Sequence, residues 1–174
     1  MAEVIPPMKI AVLGPGAIGS LLAALLFRSG NQVFCIGSEH AVESIQGHGI
    51  HVKSEVFGDF EVHPISSIVA SFPVDMVLIT LKAPMLRAAL GSISGCIGNN
   101  TVLVTLMNGI GHRELIRDFF GARVVVGMIG AVEVSLDDNR IVQHQSSRAP
   151  HLDIASDSNV NMEKISAIAS TLRN

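Results

Sequence analysis

Apolar residues along this chain fall into short continuous runs, separated by glycine, proline and polar residues. The strongest runs are rich in Val, Ile and Leu and cover residues 9–13, 32–36, 74–81 and 101–107. A run that is apolar at every position is typical of a strand whose two faces are both covered. The pattern therefore predicts buried strands at these four places.

Helical spacing of Leu, Ile and Ala appears between these runs. It predicts helices over residues 17–30, 40–46, 84–93, 111–120 and 162–173. The first of them carries Arg28 in its last turn and ends at Gly30, a favoured C-terminal stop. Because strands alternate with helices, we expect an α/β fold: a doubly wound, mostly parallel sheet with helices on both faces.

Alternation of apolar and polar residues indicates a second type of strand. The segment over residues 50–65 has this pattern, and further strands are predicted over residues 123–136, 139–145 and 151–156. The first segment alternates around Gly58 and Asp59 and predicts a β-hairpin. We expect one domain over residues 8–174, preceded by a loose extension of residues 1–7.

Three glycines interrupt the apolar stretch between the first predicted strand and the first helix. They form the motif GPGAIG, which fits G-x-G-x-x-G in the context that gives this spacing its meaning. Gly14 allows a tight turn, Gly16 lets a diphosphate approach the backbone, and Gly19 lets helix and strand pack closely. This arrangement predicts a Rossmann-like dinucleotide-binding domain. Its predicted cofactor-binding residues are Gly14, Pro15, Gly16, Ala17, Ile18 and Gly19.

The end of the second predicted strand normally indicates which dinucleotide is bound. Here it reads IGSEH, with Gly37 where a carboxylate for the ribose of NAD is expected. Ser38 and His40 can donate to a 2′-phosphate, whereas Glu39 would repel that phosphate and could hold a ribose hydroxyl instead. At this point both NADP and NAD stay open.

Composition excludes several other classes of protein. The 174 residues carry 12 Lys and Arg against 15 Asp and Glu, a net charge of -3, with no Trp and no Tyr. Without a basic cluster, and without Tyr or Trp to stack on bases, we expect no nucleic-acid partner. The stretch over residues 8–27 is apolar and long enough for a membrane span, but its proline and glycines would break such a helix, so we expect no membrane segment.

Cysteine and histidine usage favours a reduced compartment and no metal. The two cysteines, Cys35 and Cys96, lie far apart without CxxC spacing, which favours a cytoplasmic protein. Seven histidines are present, yet His48, His51 and His63 have no further ligand at a firm metal-binding spacing. We therefore expect no metal site.

Four segments in order, KIAVLGPGAIGSLLAALLFRSG, VDMVLITLKA, LMNGIG and RVVVGMIGAVEV…RIVQH, give the chain a family resemblance. Together they resemble the ketopantoate reductase (2-dehydropantoate 2-reductase) family over essentially residues 8–173. The resemblance implies an oxidoreductase that uses NADPH to reduce the ketone of 2-dehydropantoate, a 2-keto acid, to pantoate, a step toward coenzyme A. It also implies that Lys82 and Asn108 approach the cofactor and the reaction centre. Both residues follow predicted buried strands, at the edge where such sheets bind ligands.

Two departures from the family pattern qualify these expectations. The resemblance makes NADP the expected cofactor. NAD is also possible, because this chain has Ser38 where the family often carries an arginine for the 2′-phosphate. In the family, a helical domain after this point supplies the proton donor and the groups that bind the keto acid. We therefore expect no catalytic residue within this chain, no turnover by it alone, and a possible homodimer through the uncovered face. The alternative is a non-catalytic Rossmann module that senses NAD(P)(H) or another nucleotide.

Overall fold

The computed structural model describes residues 6–109, 111–121, 124–130, 132–156, 163, 165–166 and 169–170. The helices assigned within them are α1 (Ala17–Arg28), α2 (Glu39–His48), α3 (Leu86–Ala89) and α4 (Gly111–Phe120). The strands are β1 (Lys9–Leu13), β2 (Gln32–Ile36), β3 (Ile50–Ser54), β4 (Gly58–Val62), β5 (Ile65–Ser67), β6 (Met76–Ile79), β7 (Val102–Thr105), β8 (Val124–Gly130), β9 (Val134–Leu136), β10 (Val142–His144) and β11 (His151–Ser156).

The larger sheet confirms the predicted α/β fold. Its strand order is β11-β8-β7-β6-β1-β2-β5, and all neighbours are parallel except the edge pair β11 and β8. The strands β1, β6 and β7 at its centre are almost entirely buried, as their continuous apolar sequences predict. Among the described residues, no helix is both long and apolar enough to cross a membrane.

Alternate residues of the central strands enter two separate cores. In β1, Ile10 and Val12 pack in the core that contains α1, whereas Ala11 and Leu13 pack in the core that contains α3 and part of α4. This alternation is the two-residue period of a strand whose faces are covered by different helices. Helices therefore cover both faces of the larger sheet, as the sequence predicts.

A smaller sheet covers the outer side of α1, and the sequence pattern did not reveal it as a separate layer. Its strand order is β4-β3-β10-β9, in which β3 pairs antiparallel with β4 and parallel with β10. It contacts α1 through all four of its strands. The helix α1 is thus enclosed between two sheets.

The predicted hairpin over residues 50–65 is confirmed, but its predicted turn is displaced. Gly58 belongs to β4 and pairs with Ser54, so the turn lies over residues 55–57. The Ser54 hydroxyl accepts hydrogen bonds from the amides of Val56 and Phe57, which closes the turn three residues early. The short strand β5, which pairs with β2, was not predicted.

The predicted third helix, over residues 84–93, is wrong as one continuous helix. The chain forms a 3-10 helix over Ala83–Met85, the single α-turn of α3, and a second 3-10 helix over Leu90–Cys96. Glycine and serine dominate the last part and favour the α-helix weakly. A Cβ at Gly95 would collide with the carbonyl oxygen of Ala70, so tight packing on a neighbouring loop also shapes the segment. Most of the predicted helix over residues 162–173, and most of the extension over residues 1–7, lie outside the described residues.

Candidate cofactor-binding site

The glycine-rich loop lies where the strand order of the larger sheet reverses. From β1 the chain builds β2 and β5 on one side, then crosses over to build β6, β7 and β8 on the other. Such a reversal leaves a crevice at the carboxyl ends of the central strands, because consecutive crossover connections leave in opposite directions. The loop after β1 therefore borders the place where open α/β sheets bind ligands.

Gly14 makes the turn out of β1 and is held from both neighbouring strands. Its φ of +92° lies in the left-handed region that favours glycine. Its amide donates to the carbonyl of Ile36 at 2.9 Å, and its carbonyl accepts from the Thr80 hydroxyl at 2.8 Å and the Gly16 amide at 2.7 Å. A Cβ at this position would also collide with the side chain of Leu81. Position 14 thus has neither the backbone angle nor the space for another residue.

The other two glycines of the motif have opposite surroundings. A Cβ at the buried Gly19 would collide with the carbonyl oxygen of Gly14 and the hydroxyl of Thr80. A Cβ at the exposed Gly16 would meet nothing closer than the Gly14 oxygen, 4.0 Å away. Gly19 therefore permits close packing of helix on loop, while Gly16 keeps the outer surface of the loop bare.

The first turn of α1 presents backbone amides that the helix itself cannot satisfy. The first amide bonded within the helix is that of Ser20, which donates to the carbonyl of Gly16 at 2.8 Å. The amides of Ala17, Ile18 and Gly19 precede it and have no acceptor within the helix. Gly16 supplies no side-chain cap, and the first turn contains no acidic residue. This turn is therefore suited to an anion, which the positive end of the helix dipole also attracts.

Ser38 lies on the other side of the loop, at the start of α2. Its hydroxyl oxygen accepts a hydrogen bond from the amide of Ala41 at 3.4 Å and caps the helix. At the preceding position, a Cβ on Gly37 would lie 2.9 Å from Cδ of Pro15. Pro15 is buried there, so a carboxylate at position 37 would displace the glycine-rich loop. The absence of an acidic residue at position 37, where a carboxylate for the ribose of NAD was expected, thus has a steric cause.

Lys82 and Asn108 follow the adjacent strands β6 and β7, and both side chains are exposed. Lys82 has an extended backbone, and its carbonyl accepts a hydrogen bond from the amide of Met85 at 2.9 Å. After Asn108, Gly109 adopts a φ of +96° and the chain continues into α4 rather than into a hairpin. The predicted site residues therefore follow four neighbouring strands, β7, β6, β1 and β2, along one edge of the sheet.

Two residues that the sequence analysis did not single out also hold the loop. The hydroxyl of Thr80 donates to the carbonyl of Gly14 and, at 3.2 Å, to that of Leu13. Its position before Lys82, at the end of a buried strand, could have indicated it. Nη2 of Arg140 donates to the carbonyl of Pro15 at 2.8 Å, from 125 positions further along the chain. No local pattern predicts a contact over that distance.

Two buried histidines lie outside the loop. His112 begins the buried face of α4, and His144 lies in β10, where its Nδ1 hydrogen-bonds the Ser54 hydroxyl at 2.8 Å. Burial removes solvent from both imidazoles and lowers the pKa of each below its ordinary value. Within the part of the chain that the structure describes, no three His, Cys, Asp or Glu side chains cluster as metal ligands would.

A mostly parallel sheet with a glycine-rich loop at its reversal point defines a Rossmann-like domain. The family profile described as ketopantoate reductase PanE/ApbA matches residues 10–155. The chain therefore belongs to the ketopantoate reductase family.

Individual relatives agree with this assignment. A 2-dehydropantoate 2-reductase of Pyrococcus horikoshii is 34% identical over 121 residues, which are 70% of this chain and 39% of that protein. The crystal structure of 2-dehydropantoate 2-reductase from Geobacter metallireducens has a TM-score of 0.84 at 28% identity, covering 95% of this chain and 55% of the other. A ternary structure of D-mandelate dehydrogenase with NADH and anilino(oxo)acetate has a TM-score of 0.84 at 25% identity, covering 95% and 54%. The chain thus spans about half or less of the length of these relatives.

Proposed function

We propose that this chain binds NADP(H) along the carboxyl edge of its larger sheet. The observation that carries the proposal is the first turn of α1, whose three leading amides are free of helix partners beneath an open Gly16. A diphosphate supplies the oxygen acceptors and the negative charge that such a turn lacks. The NADH named in the D-mandelate dehydrogenase structure supports a pyridine nucleotide as the ligand.

Lys82 and Asn108 follow the next two strands at the same edge of the sheet, and in this proposal they extend the site away from the loop. Lys82 supplies a positive charge, and the Asn108 amide can donate and accept hydrogen bonds at once. We propose that these groups position the nicotinamide end of the ligand, which supplies a hydride when bound in its reduced form. The exposure of both side chains leaves them accessible to a ligand.

The family makes NADPH the cofactor proposed here, and Ser38, where the family often carries an arginine, leaves NADH as a possible second one. The Ser38 oxygen accepts from the amide of Ala41, which leaves its proton free to donate to a 2′-phosphate or to a ribose hydroxyl. The amino end of α2 favours a phosphate, whereas the Glu39 carboxylate beside it opposes one. We therefore expect a modest preference for NADPH, and Ser38→Arg should increase it about tenfold by adding a charge-assisted contact.

The reaction proposed for the complete enzyme is reduction of the ketone of a 2-keto acid, 2-dehydropantoate, to pantoate. It rests on the family and on the relatives named above. In this proposal the helical part of the family's proteins binds the keto acid and supplies the proton donor. The 174 residues of this chain bind the cofactor without turnover. Cytoplasmic location is part of the same proposal, supported by two buried, free cysteines, Cys35 and Cys96.

Isothermal titration with NADPH and NADH tests the binding proposal. We expect heat with both ligands and the tighter affinity with NADPH. The matched variants are Gly16→Val and Gly91→Val, because a side chain has room at either exposed position. Gly16→Val should keep the melting temperature and lose affinity more than tenfold, since it covers the free amides, whereas Gly91→Val should bind normally.

Two results would contradict the proposal. Absence of heat with either dinucleotide at millimolar concentration removes the binding function. Consumption of NADPH by this chain on addition of 2-dehydropantoate shows that the 174 residues are catalytic after all. Binding without turnover agrees with the proposal and also with a sensor module, so the complete gene product must be assayed to separate those two.

A further inference from the structure

A single arginine reaches the glycine-rich loop from the smaller sheet. Arg140 lies in the turn between β9 and β10, and its Nη2 donates to the carbonyl of Pro15 at 2.8 Å. That carbonyl also accepts from the Ser20 hydroxyl at 3.0 Å. The guanidinium is therefore held beside the loop whose next residues begin α1.

The backbone of Arg140 makes its presence unexpected. Its φ is 60°, and it is the only non-glycine residue in the described part of the chain with a positive φ. This region favours glycine and tolerates asparagine, and it is unfavourable for a long side chain. A disfavoured residue in a tight turn is a reason to look for a function of its side chain.

The turn is built around Asp137, whose carboxylate is engaged by groups other than the Arg140 side chain. The Asp137 carboxylate accepts from the amides of Asn139 and Ile141, at 3.0 and 2.9 Å, and from the Gln143 side chain at 3.2 Å. These contacts, the Ile141 amide first, lower the pKa of Asp137. Among the described residues, no carboxylate lies within ion-pairing distance of Arg140.

A partly buried guanidinium with one carbonyl partner retains donors for an anion. The group has five N–H donors in a planar fork, and the contact with Pro15 uses one of them. A diphosphate at the first turn of α1 would bring negative oxygens close to the loop that Arg140 holds. Planar, bidentate contacts to phosphate are the interaction for which arginine is best suited.

We propose that Arg140 is a diphosphate-binding residue of this site, contributed by the smaller sheet. The inference rests on the proposed dinucleotide function and adds a residue to it. In the free protein the guanidinium holds the Pro15 carbonyl, and in the complex its remaining donors bind the diphosphate. The smaller sheet then contributes a side chain that contacts the ligand, in addition to covering α1.

The test compares Arg140→Gly with Arg28→Gln by titration of NADPH at several salt concentrations. Glycine suits the left-handed backbone of position 140, so Arg140→Gly should keep or raise the melting temperature while it removes the guanidinium. We expect about tenfold weaker affinity and a shallower dependence on salt, because one phosphate contact is lost. Arg140→Lys keeps the charge without the fork and should restore part of both quantities.

Arg28 is the matched control because it joins the same two layers at the far end of α1. Its Nη1 donates to the carbonyl of Phe57 at 2.9 Å, and its guanidinium lies over the Phe60 ring. Arg28→Gln should keep the affinity and salt dependence of the wild type. Wild-type affinity in Arg140→Gly, or the same salt dependence in both variants, overturns the inference. A wild-type chain that binds neither dinucleotide overturns the proposed function itself, and this inference with it.

Discussion

Helices α1 and α4 both follow a central strand of the larger sheet, yet they have very different surroundings. The buried residues of α1 face in all directions and include Gly19, Ser20, Leu21, Leu22, Ala23, Ala24 and Leu26. In α4 only His112 and Ile116 are buried, on one side, and the exposed positions include Glu114, Asp118 and Phe119. The difference shows that a helix covering one face of the sheet needs only one apolar side, whereas the helix that follows the glycine-rich loop is enclosed by two sheets.

The enclosure of α1 has a consequence for the loop at its amino end. Both sheets contact the loop, the larger one through Thr80 and the smaller one through Arg140. A helix that is fixed on two sides holds its first turn of amides in a constant direction. That rigidity reduces the ordering cost of binding a charged ligand.

The largest effect in this comparison is expected for Gly19→Ala. The added methyl group would overlap the carbonyl of Gly14 and the hydroxyl of Thr80, so α1 must move away from the loop. We expect a loss of about 3 kcal/mol in the free energy of unfolding, as for overpacking against backbone, and no measurable dinucleotide binding. Urea denaturation and titration with NADPH measure the two quantities.

Gly47→Ala is the control for that substitution. Gly47 is exposed within α2, and a Cβ there meets nothing within 4 Å. Alanine should stabilise the protein by about 0.5–1 kcal/mol, since it favours the helix and restricts the unfolded chain. Equal stability of both variants would show that the close approach of α1 to the loop is unimportant.

A smaller effect is expected for Ala23→Leu, which tests whether α1 is enclosed. Ala23 is 0% exposed in the core that α1 shares with both sheets. A leucine there should cost about 2 kcal/mol, because neither sheet can retreat without opening the core. The same change at Ala88, which is exposed on α3, should stay within about 0.5 kcal/mol. If both leucine variants unfold at the same urea concentration, the smaller sheet does not pack on α1 as described.

The smallest effect is a dependence of stability on pH that arises in the smaller sheet. Burial lowers the pKa of His144, so below an ordinary value of about 6.5 the unfolded chain binds more protons than the folded one. The free energy of unfolding should therefore be at its full value above that pH. It should fall as the pH decreases toward the pKa of His144 in the folded protein. His112 on α4 contributes with the same sign.

Melting temperatures between pH 8 and pH 5 check this prediction. His144→Gln should show a shallower decline than the wild type, and the exposed His48→Gln should follow the wild type. An equal slope in the wild type and in His144→Gln would mean that the buried imidazole does not take part. A stability that rises on acidification would contradict the sign itself.

Local patterns predicted the parts of the fold in which neighbours in sequence are also neighbours in space. The bounds of β1, β2, α4 and β11 agree with the predicted runs, because each depends on its own apolar pattern. The turn at Gly14 and the close packing at Gly19 were predicted from the motif, since both depend only on the strand before it and the helix after it. The prediction of one continuous helix over residues 84–93 was wrong. Gly91, Gly95 and the tight contact with a neighbouring loop outweigh the helical spacing of the apolar residues.

The sequence by itself determined the layered α/β fold, the family and the bare backbone at residues 14–19, because each depends on short-range order along the chain. Only the tertiary structure decided that a second sheet closes over α1 and that Arg140 contacts Pro15, because β3 and β10 pair across 90 residues. Which distant strands pair depends on how the whole face of the sheet packs against its neighbours, and a local sequence pattern does not indicate it.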